Sequence, residues 1–446
     1  MTVQWLNARF WHLRPCGLFS IFLLATFMMP FSACAETLSL QKITDEAIQN
    51  SYALKIARVE ARINRADINI ARADYFPTIR AGLNIERLKS LQNSPTQVTT
   101  IGTTVLPAGT RFQNSISLSV NHTLLDFGVR HHKIEMAKAA TTAKISETNQ
   151  ILRDLKIKLI ELYADALISY KTMTVNQALA LLAQKQYKIK KQLYKAGTIS
   201  TVPMAEDAIQ VAQTLDNIQV YKDQYQQKLE NISYYTHTEY NPESTALEDL
   251  SDDTATKVIT VVLKQSAEAK VYDALIAQKQ HEINSLKRQA LPNLSWYSNY
   301  YIYGFDPNHF NHSVKDLSQR TVSLGLSFSM PVFDGFKNRA TIEKAKLEKE
   351  KLQLQKDDKL AQLKNQASLY QQQVDGYTVQ LSTKATILNK TQDKLTMVNR
   401  LSEQKIVDQT QAIKEHMDRI QKQVDVEKSI IQGVSALKKL KILAEG

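Results

Sequence analysis

"LPNLSWYSNYYIYGFD", residues 291–306, interrupts two long helical stretches with a strand pattern. Leu294, Trp296, Tyr300 and Ile302 fall on one face, with Ser298 breaking the row. Ser295, Tyr297, Asn299, Tyr301 and Tyr303 fall on the other. Pro292 blocks helix entry, and the period of two marks a half-exposed strand. Its two faces need two different surroundings.

The pattern recurs. "YFPTIRAGLNIER" at 75–87 sets Ile79, Ala81, Leu83 and Ile85 against Arg80, Gly82, Asn84 and Glu86. A polar segment follows each strand, 89–112 and 305–320, and then a second strand. The four strands are expected at about 76–88, 113–125, 293–304 and 321–333. The second strand of each half ends in a related motif, "LLDFG" at 124–128 and "VFDGF" at 332–336, which puts Asp126 and Asp334 208 residues apart.

The same offset continues into long helices. No Gly or Pro occurs between Gly128 and Gly197, and a 3-4 spacing runs from Leu152 through Leu155, Leu159, Leu162 and Ala166 to Tyr187. Adding 208 gives a matching row from Leu360 through Leu363 and Val374 to Leu395. Both rows read as coiled-coil seams. A helix is expected before each strand pair, at about 44–74 and 252–290, and a return helix after each long one, at 203–238 and 408–440. In "KAGTISTVP" Gly197 stops one helix and Pro203 starts the next, whereas "RLSEQKIVDQ" has neither signal. The expected organisation is a leader at 1–35, a first repeat at 36–240, a linker at 241–252 and a second repeat at 253–446.

Arg9, Arg14, the apolar run Gly17 to Phe31 and "SACAE" have the form of an export signal cut after Ala35. The alternative is an anchor, but about 15 apolar residues fall short of the roughly 20 that span a bilayer. The only cysteines, Cys16 and Cys34, lie in this leader. Cleavage would leave no thiol, and "FSAC" offers a second outcome in which Cys34 is lipidated. The basic excess of 12 drops to 10 without the leader's two arginines. The densest basic cluster, "KQYKIKKQLYK" at 185–195, reads as a solvated coiled-coil face or a dock for an acidic partner, and no nucleic-acid role is expected. His131-His132 reads as a surface pair, because adjacent helical residues point about 100° apart. His309 and His312 sit in a polar segment with no Cys or suitably spaced carboxylate, so no metal site is expected. No catalytic or nucleotide-binding motif occurs, so neither an enzyme nor a cofactor is expected.

Four strands cannot seal a barrel, since the smallest membrane barrels use 8. Either the strands form a soluble sheet capping a coiled coil, or several chains share one membrane barrel. Strand length, aromatic content and the Ser/Asn/Gly-rich face suit a bilayer on one side and a water-filled lumen on the other.

The duplicated order of helix, proline-led strand, strand ending in Asp-Phe-Gly or Phe-Asp-Gly, very long helix, "AGTIS" turn and helix resembles the TolC-like outer-membrane efflux proteins over about 40–440. The resemblance implies an α+β membrane protein: a homotrimer with four strands per chain in one transmembrane β-barrel and a long α-helical periplasmic tunnel. It further implies an exit duct in outer-membrane lipid, docked by a periplasmic adaptor to an inner-membrane pump in an efflux or type I secretion system. A soluble periplasmic coiled-coil scaffold or adaptor is the alternative. The family's periplasmic gate pattern resembles I-V-D-x-x-D-A. "IVDQTQA" at 406–412 puts Asp408 at its first acidic position and Gln411 at its second, which implies three carboxylates rather than six around a constriction. The 208 offset pairs Pro203 with Gln411, whereas the turn motif pairs it with Asp408. A solvated Asp at a helix start explains the same residue.

Overall fold

The computed structural model describes residues 36–87, 99–101, 104–106, 112–251 and 266–445. The leader with Cys16 and Cys34, most of the polar segment 89–112 and residues 252–265 lie outside the described residues.

Strand β1 (Glu36–Leu38) leads into α1 (Leu40–Asn50), capped by Ser39 Oγ, which accepts the Lys42 N–H at 3.2 Å. The helix expected at 44–74 is broken at Ser51, whose extended ψ of 119° starts α2 (Tyr52–Ala73). Strand β2 (Thr78–Arg87), the short strands β3 (Thr99–Ile101) and β4 (Thr104–Leu106), and β5 (Phe112–Leu125) follow. Then come α3 (Val129–Lys195) and α4 (Thr201–Thr236). After β6 (Thr245–Leu247), the order repeats with α5 (Ala267–Arg288), β7 (Asn293–Asp306), a one-turn helix α6 (Phe310–Lys315), β8 (Gln319–Ser329), α7 (Lys337–Glu403) and α8 (Gln409–Glu445). Both α3 and α7 contain 67 residues, roughly 100 Å each at 1.5 Å per residue.

Four strands form one antiparallel sheet in the order β2-β5-β7-β8. Its register carries the alternation straight across: Ala81, Leu118, Tyr300 and Val322 lie in one row, and Ile79, Val120, Ser298 and Leu324 in another. Because residues directly opposite share a face, the apolar sets of all four strands meet on one side. Ser117, Ser119, Tyr301, Asn299 and Ser323 meet on the other.

The buried core lies at the middle of the helical region. The β1 and β6 strands pair in parallel there, Leu38 against Leu247. Leu38, Ile43, Leu159, Tyr163, Leu167, Tyr225, Leu229 and Ile232 are buried together. The Tyr163 hydroxyl donates between Glu248 O at 2.6 Å and Leu38 O at 2.9 Å, and the Tyr225 hydroxyl donates to Thr245 O at 3.0 Å. The connecting segment is therefore a buried strand with tyrosine anchors, not a slack tether.

Helix α3 packs on α2 and α5 towards the sheet and on α4 and α8 away from it, while α7 packs on α5 and then α8. Every position in the two predicted seams between Leu152 and Tyr187 and between Leu360 and Leu395 is buried or half-buried. The chain is thus a slab with two long margins. One consists of β2, α2 and α4, the other of β8 and α7.

Candidate channel wall and tunnel end

The sheet's apolar face has no cover among the described residues. Leu324 is 68% exposed and Phe328 71%, and Ile79, Leu83 and Leu326 are exposed to a similar degree. Soluble monomers rarely display so large a contiguous apolar surface. Among the described residues, outer strands β2 and β8 each pair on one side only, leaving two unsatisfied edges. The helical margins match them: Ile56, Ile63 and Ile70 on α2, Val202 and Ile209 on α4, and Leu347, Leu354 and Val379 on α7 are all exposed. No helix among the described residues is long and apolar enough to cross a membrane.

Two elbows join the sheet to the long helices. Asp126 Oδ2 accepts the Arg130 N–H at 2.8 Å and its Nε–H at 2.9 Å, and Oδ1 accepts the Gly128 N–H at 3.1 Å. Asp334, 208 residues on, accepts the Asn338 N–H at 2.8 Å. Each Asp caps a long helix across two left-handed residues, Phe127 and Gly128 or Gly335 and Phe336. Burial pushes the Asp126 carboxyl up, but the Arg130 and Gly128 N–H groups and the Arg130 guanidinium outweigh it and hold the carboxyl below the usual aspartate range. Arg130 also lies over the Tyr75 ring at 4.5 Å. Arg288, at the end of α5, donates to Phe127 O at 2.7 Å, so the second repeat clamps the first elbow.

His131-His132 is not a surface pair. His131 is exposed, but His132 is buried with its Nδ1 3.1 Å from His281 Nδ1 on α5. The roughly 100° step between neighbours that argued against chelation also turns one ring outward and the other into the seam. Burial, then the Arg288, His281 and His131 charges, lower the His132 pKa.

At the end far from the sheet, the turns share one geometry. Gly197 has φ +73°, and the Thr198 N–H donates to Leu193 O at 2.9 Å. In the second turn Lys405 has φ +60°, and the Ile406 N–H donates to Leu401 O at 2.9 Å. This is a Schellman-type ending with lysine in the glycine position. Gly197 and Lys405 are 208 apart, as are the first residues of α4 and α8, Thr201 and Gln409. The offset therefore runs through the turn and pairs Pro203 with Gln411. Asp408 stands opposite Ser200, just before its helix, exposed, with its backbone O accepting the Gln411 N–H at 3.1 Å.

The offset also exposes a pair that the sequence reading missed. Buried Asp207 accepts from Gln186 Nε2 at 2.9 Å and Lys190 Nζ at 3.0 Å. Buried Glu415 pairs with Lys394 at 2.7 Å and accepts from Gln411 Nε2 at 2.9 Å. Asp207 and Glu415 are 208 apart, and so are Gln186 and Lys394. Extending the seam comparison to polar residues would have found them. Each acid ties a return helix to its long helix just above the turn. Lys190 is thereby removed from the basic cluster, while Lys185, Lys188, Lys191 and Lys195 remain exposed.

Residues 43–236 match the family model described as outer membrane efflux protein. The first half of the chain thus carries an outer membrane efflux protein domain. Solved structures share the chain's fold along nearly the full length. CusC is 13% identical, covering 90% of this chain and 91% of its own, with a TM-score of 0.73. VceC of Vibrio cholerae is 11% identical, covering 90% and 95%, with a TM-score of 0.69. The open-state MtrE channel of Neisseria gonorrhoeae is 14% identical, covering 91% and 89%, with a TM-score of 0.68. No curated protein matches the sequence. The domain match and these shared folds support the role of an efflux channel of the outer membrane with a large periplasmic helical tunnel.

Proposed function

We propose that three copies of this chain close margin to margin into one continuous exit duct. Two repeats per chain, 36–240 and 253–446, each contribute two strands, and β8 of one copy pairs with β2 of the next to give a 12-stranded barrel. The observation that carries this reading is the pair of apolar, unpaired margins running from the sheet down the helices. Open edges in lipid cost several kcal/mol per unsatisfied amide. Two copies would give 8 strands, an interior that side chains fill. Tyr297, Tyr301 and Tyr303 on the polar face would block it, whereas three copies leave a lumen.

The duct serves a tripartite efflux or type I secretion system. A periplasmic adaptor and an inner-membrane pump engage its far end, where the exposed lysines of 185–195 suit an acidic adaptor surface. Asp408 and Gln411, exposed at the α8 start beside the turn, form the constriction, with one carboxylate per copy. Cys34 belongs to the leader and is either removed with it or acylated, which mass spectrometry of the mature N-terminus distinguishes.

The deciding experiment is native mass spectrometry of the chain extracted from outer membranes. Three chains per particle is the expected result. A soluble periplasmic monomer would favour the scaffold reading and end this one. In planar bilayers, Asp408→Ala should raise single-channel conductance, and an unchanged conductance removes Asp408 from the constriction.

A further inference from the structure

We propose that Asp306, His309 and His312 bind a divalent transition-metal ion of the zinc, nickel or copper class at the helix-distal end of the sheet. The proposal does not depend on how many copies close the barrel.

The donor set is two imidazoles and one carboxylate, with one ligand atom from each lying within 4.8 Å of the others. Asp306 Oδ2 is 3.4 Å from His312 Nδ1, and Asp306 Oδ1 is 3.7 Å from His309 Nδ1. With metal–ligand bonds of about 2.0–2.2 Å and tetrahedral angles, two ligand atoms sit roughly 3.3–3.5 Å apart. Closing these three groups on an ion therefore needs only small side-chain rotations. The sequence reading ended the strand at 304 and passed over Asp306 in the polar segment, whereas the structure extends β7 to Asp306. The turn after β7 is what brings it against the one-turn helix.

The platform is built, not incidental. Asp306 ends β7, and its Oδ1 accepts N–H groups from Asn308 at 2.8 Å and His309 at 2.5 Å, which fixes the carboxylate and leaves Oδ2 turned to His312. His309, the residue just before α6, and His312 within it have ring centroids 5.0 Å apart. Helix α6 is pinned to the sheet by Ser313, which is fully buried. Its Oγ accepts from Asn114 Nδ2 at 2.6 Å and donates to Phe310 O at 2.7 Å. Its carbonyl lies so close over Gly304 that a Cβ there would clash with Ser313 O. Phe310 stacks edge-on against Phe112 at 5.9 Å. Both histidine rings are about two-thirds exposed, so an ion reaches them from solvent and keeps water in its open positions.

Imidazole donors select zinc, nickel and copper over magnesium and calcium, which prefer all-oxygen cages. The site lies at the sheet end opposite the elbows, since Phe112 pairs with Asp306 there while Leu125 pairs with Leu294 beside the helices. In the membrane-spanning molecule that end is the outer mouth.

The test uses the full chain in detergent, purified without a histidine tag, stripped with a chelator and titrated with zinc chloride in excess magnesium. Calorimetry should show one zinc per chain that the His309→Ala/His312→Ala double variant lacks. Asp306→Asn and His312→Gln should each weaken zinc affinity at least tenfold, and His131→Ala should leave it unchanged. An identical isotherm in wild type and double variant, or displacement of zinc by magnesium, overturns the proposal. A second readout needs no variant: zinc should protect His309 and His312, but not His131, from diethyl pyrocarbonate. Equal modification of all three with and without zinc also overturns it.

Discussion

Removing either partner of the Arg153–Glu268 pair should loosen the joint between the two repeats, and the two removals should not cost the same. Arg153 on α3 is 7% exposed and Glu268 in the first turn of α5 is 2% exposed, and they form a two-pronged ion pair. Breaking a buried pair by deleting one member costs about 3–5 kcal/mol, because the other charge is left without compensation. Glu268→Gln leaves Arg153 a second partner, Asp154 Oδ1 at 2.7 Å, which is itself half-exposed, so about 3 kcal/mol is expected. Arg153→Met strands Glu268 with no other cation in contact among the described residues, so about 5 kcal/mol is expected. Replacing both by methionine should come close to wild type, because apolar residues of similar volume recover the desolvation cost. Burial pushes the Glu268 carboxyl up, but its hydrogen bonds to Arg153 and the guanidinium charge hold it below the usual glutamate value. A lowered acid pKa stabilises the fold above the unfolded value of about 4.5, and that contribution is lost as pH falls through the lower folded value. Denaturant titration of the helical circular dichroism in detergent gives the three free-energy differences. A double variant less stable than either single one, or a Glu268→Gln chain indistinguishable from wild type, would refute the reasoning.

Lys405→Gly should raise stability by about 1 kcal/mol, because it removes a side chain from the left-handed region, and Gly197→Ala should lower it comparably; thermal melts of the two variants check both. Leu324→Arg should cost about 2–4 kcal/mol in refolding into lipid vesicles if its face meets the bilayer, while Ser323→Arg on the opposite face should cost far less. His132 has a folded pKa below its ordinary value of about 6.5. Its contribution is therefore complete above pH about 6.5 and lost as pH drops below it. The melting temperature of wild type should fall more between pH about 7.5 and about 5.5 than that of His132→Asn.

The strands were legible because a period of two survives any context. Ile79 to Ile85 and Val322 to Phe328 could be read without knowing their neighbours, and only their ends moved by a few residues. The seams were legible for the same reason at a period of 3.6. What escaped the sequence was whatever depends on a contact far along the chain. Nothing local marks Thr245–Leu247 as a strand, because Leu38 and two tyrosine hydroxyls make it one. The second turn carries no glycine signal, since Lys405 tolerates the left-handed conformation unaided by composition. Its alignment, and so the place of Asp408, became definite only when α8 was seen to begin 208 residues after α4. The three metal donors all lay within the polar segment 305–320, and what escaped was the one-turn helix α6 that folds His309 and His312 back towards Asp306.

The two 67-residue helices, capped above by paired aspartates and below by matching turns, act as a gauge cut twice to one length. One residue inserted into α3 alone would push its turn about 1.5 Å outward and swing it by 100° relative to that of α7. Every later seam residue would then leave its partner. The reach of the molecule across the periplasm can therefore change only by equal edits in both halves, in steps close to seven residues that restore the facing. A homologue with a longer tunnel should carry its extra residues twice, at sites one repeat length apart.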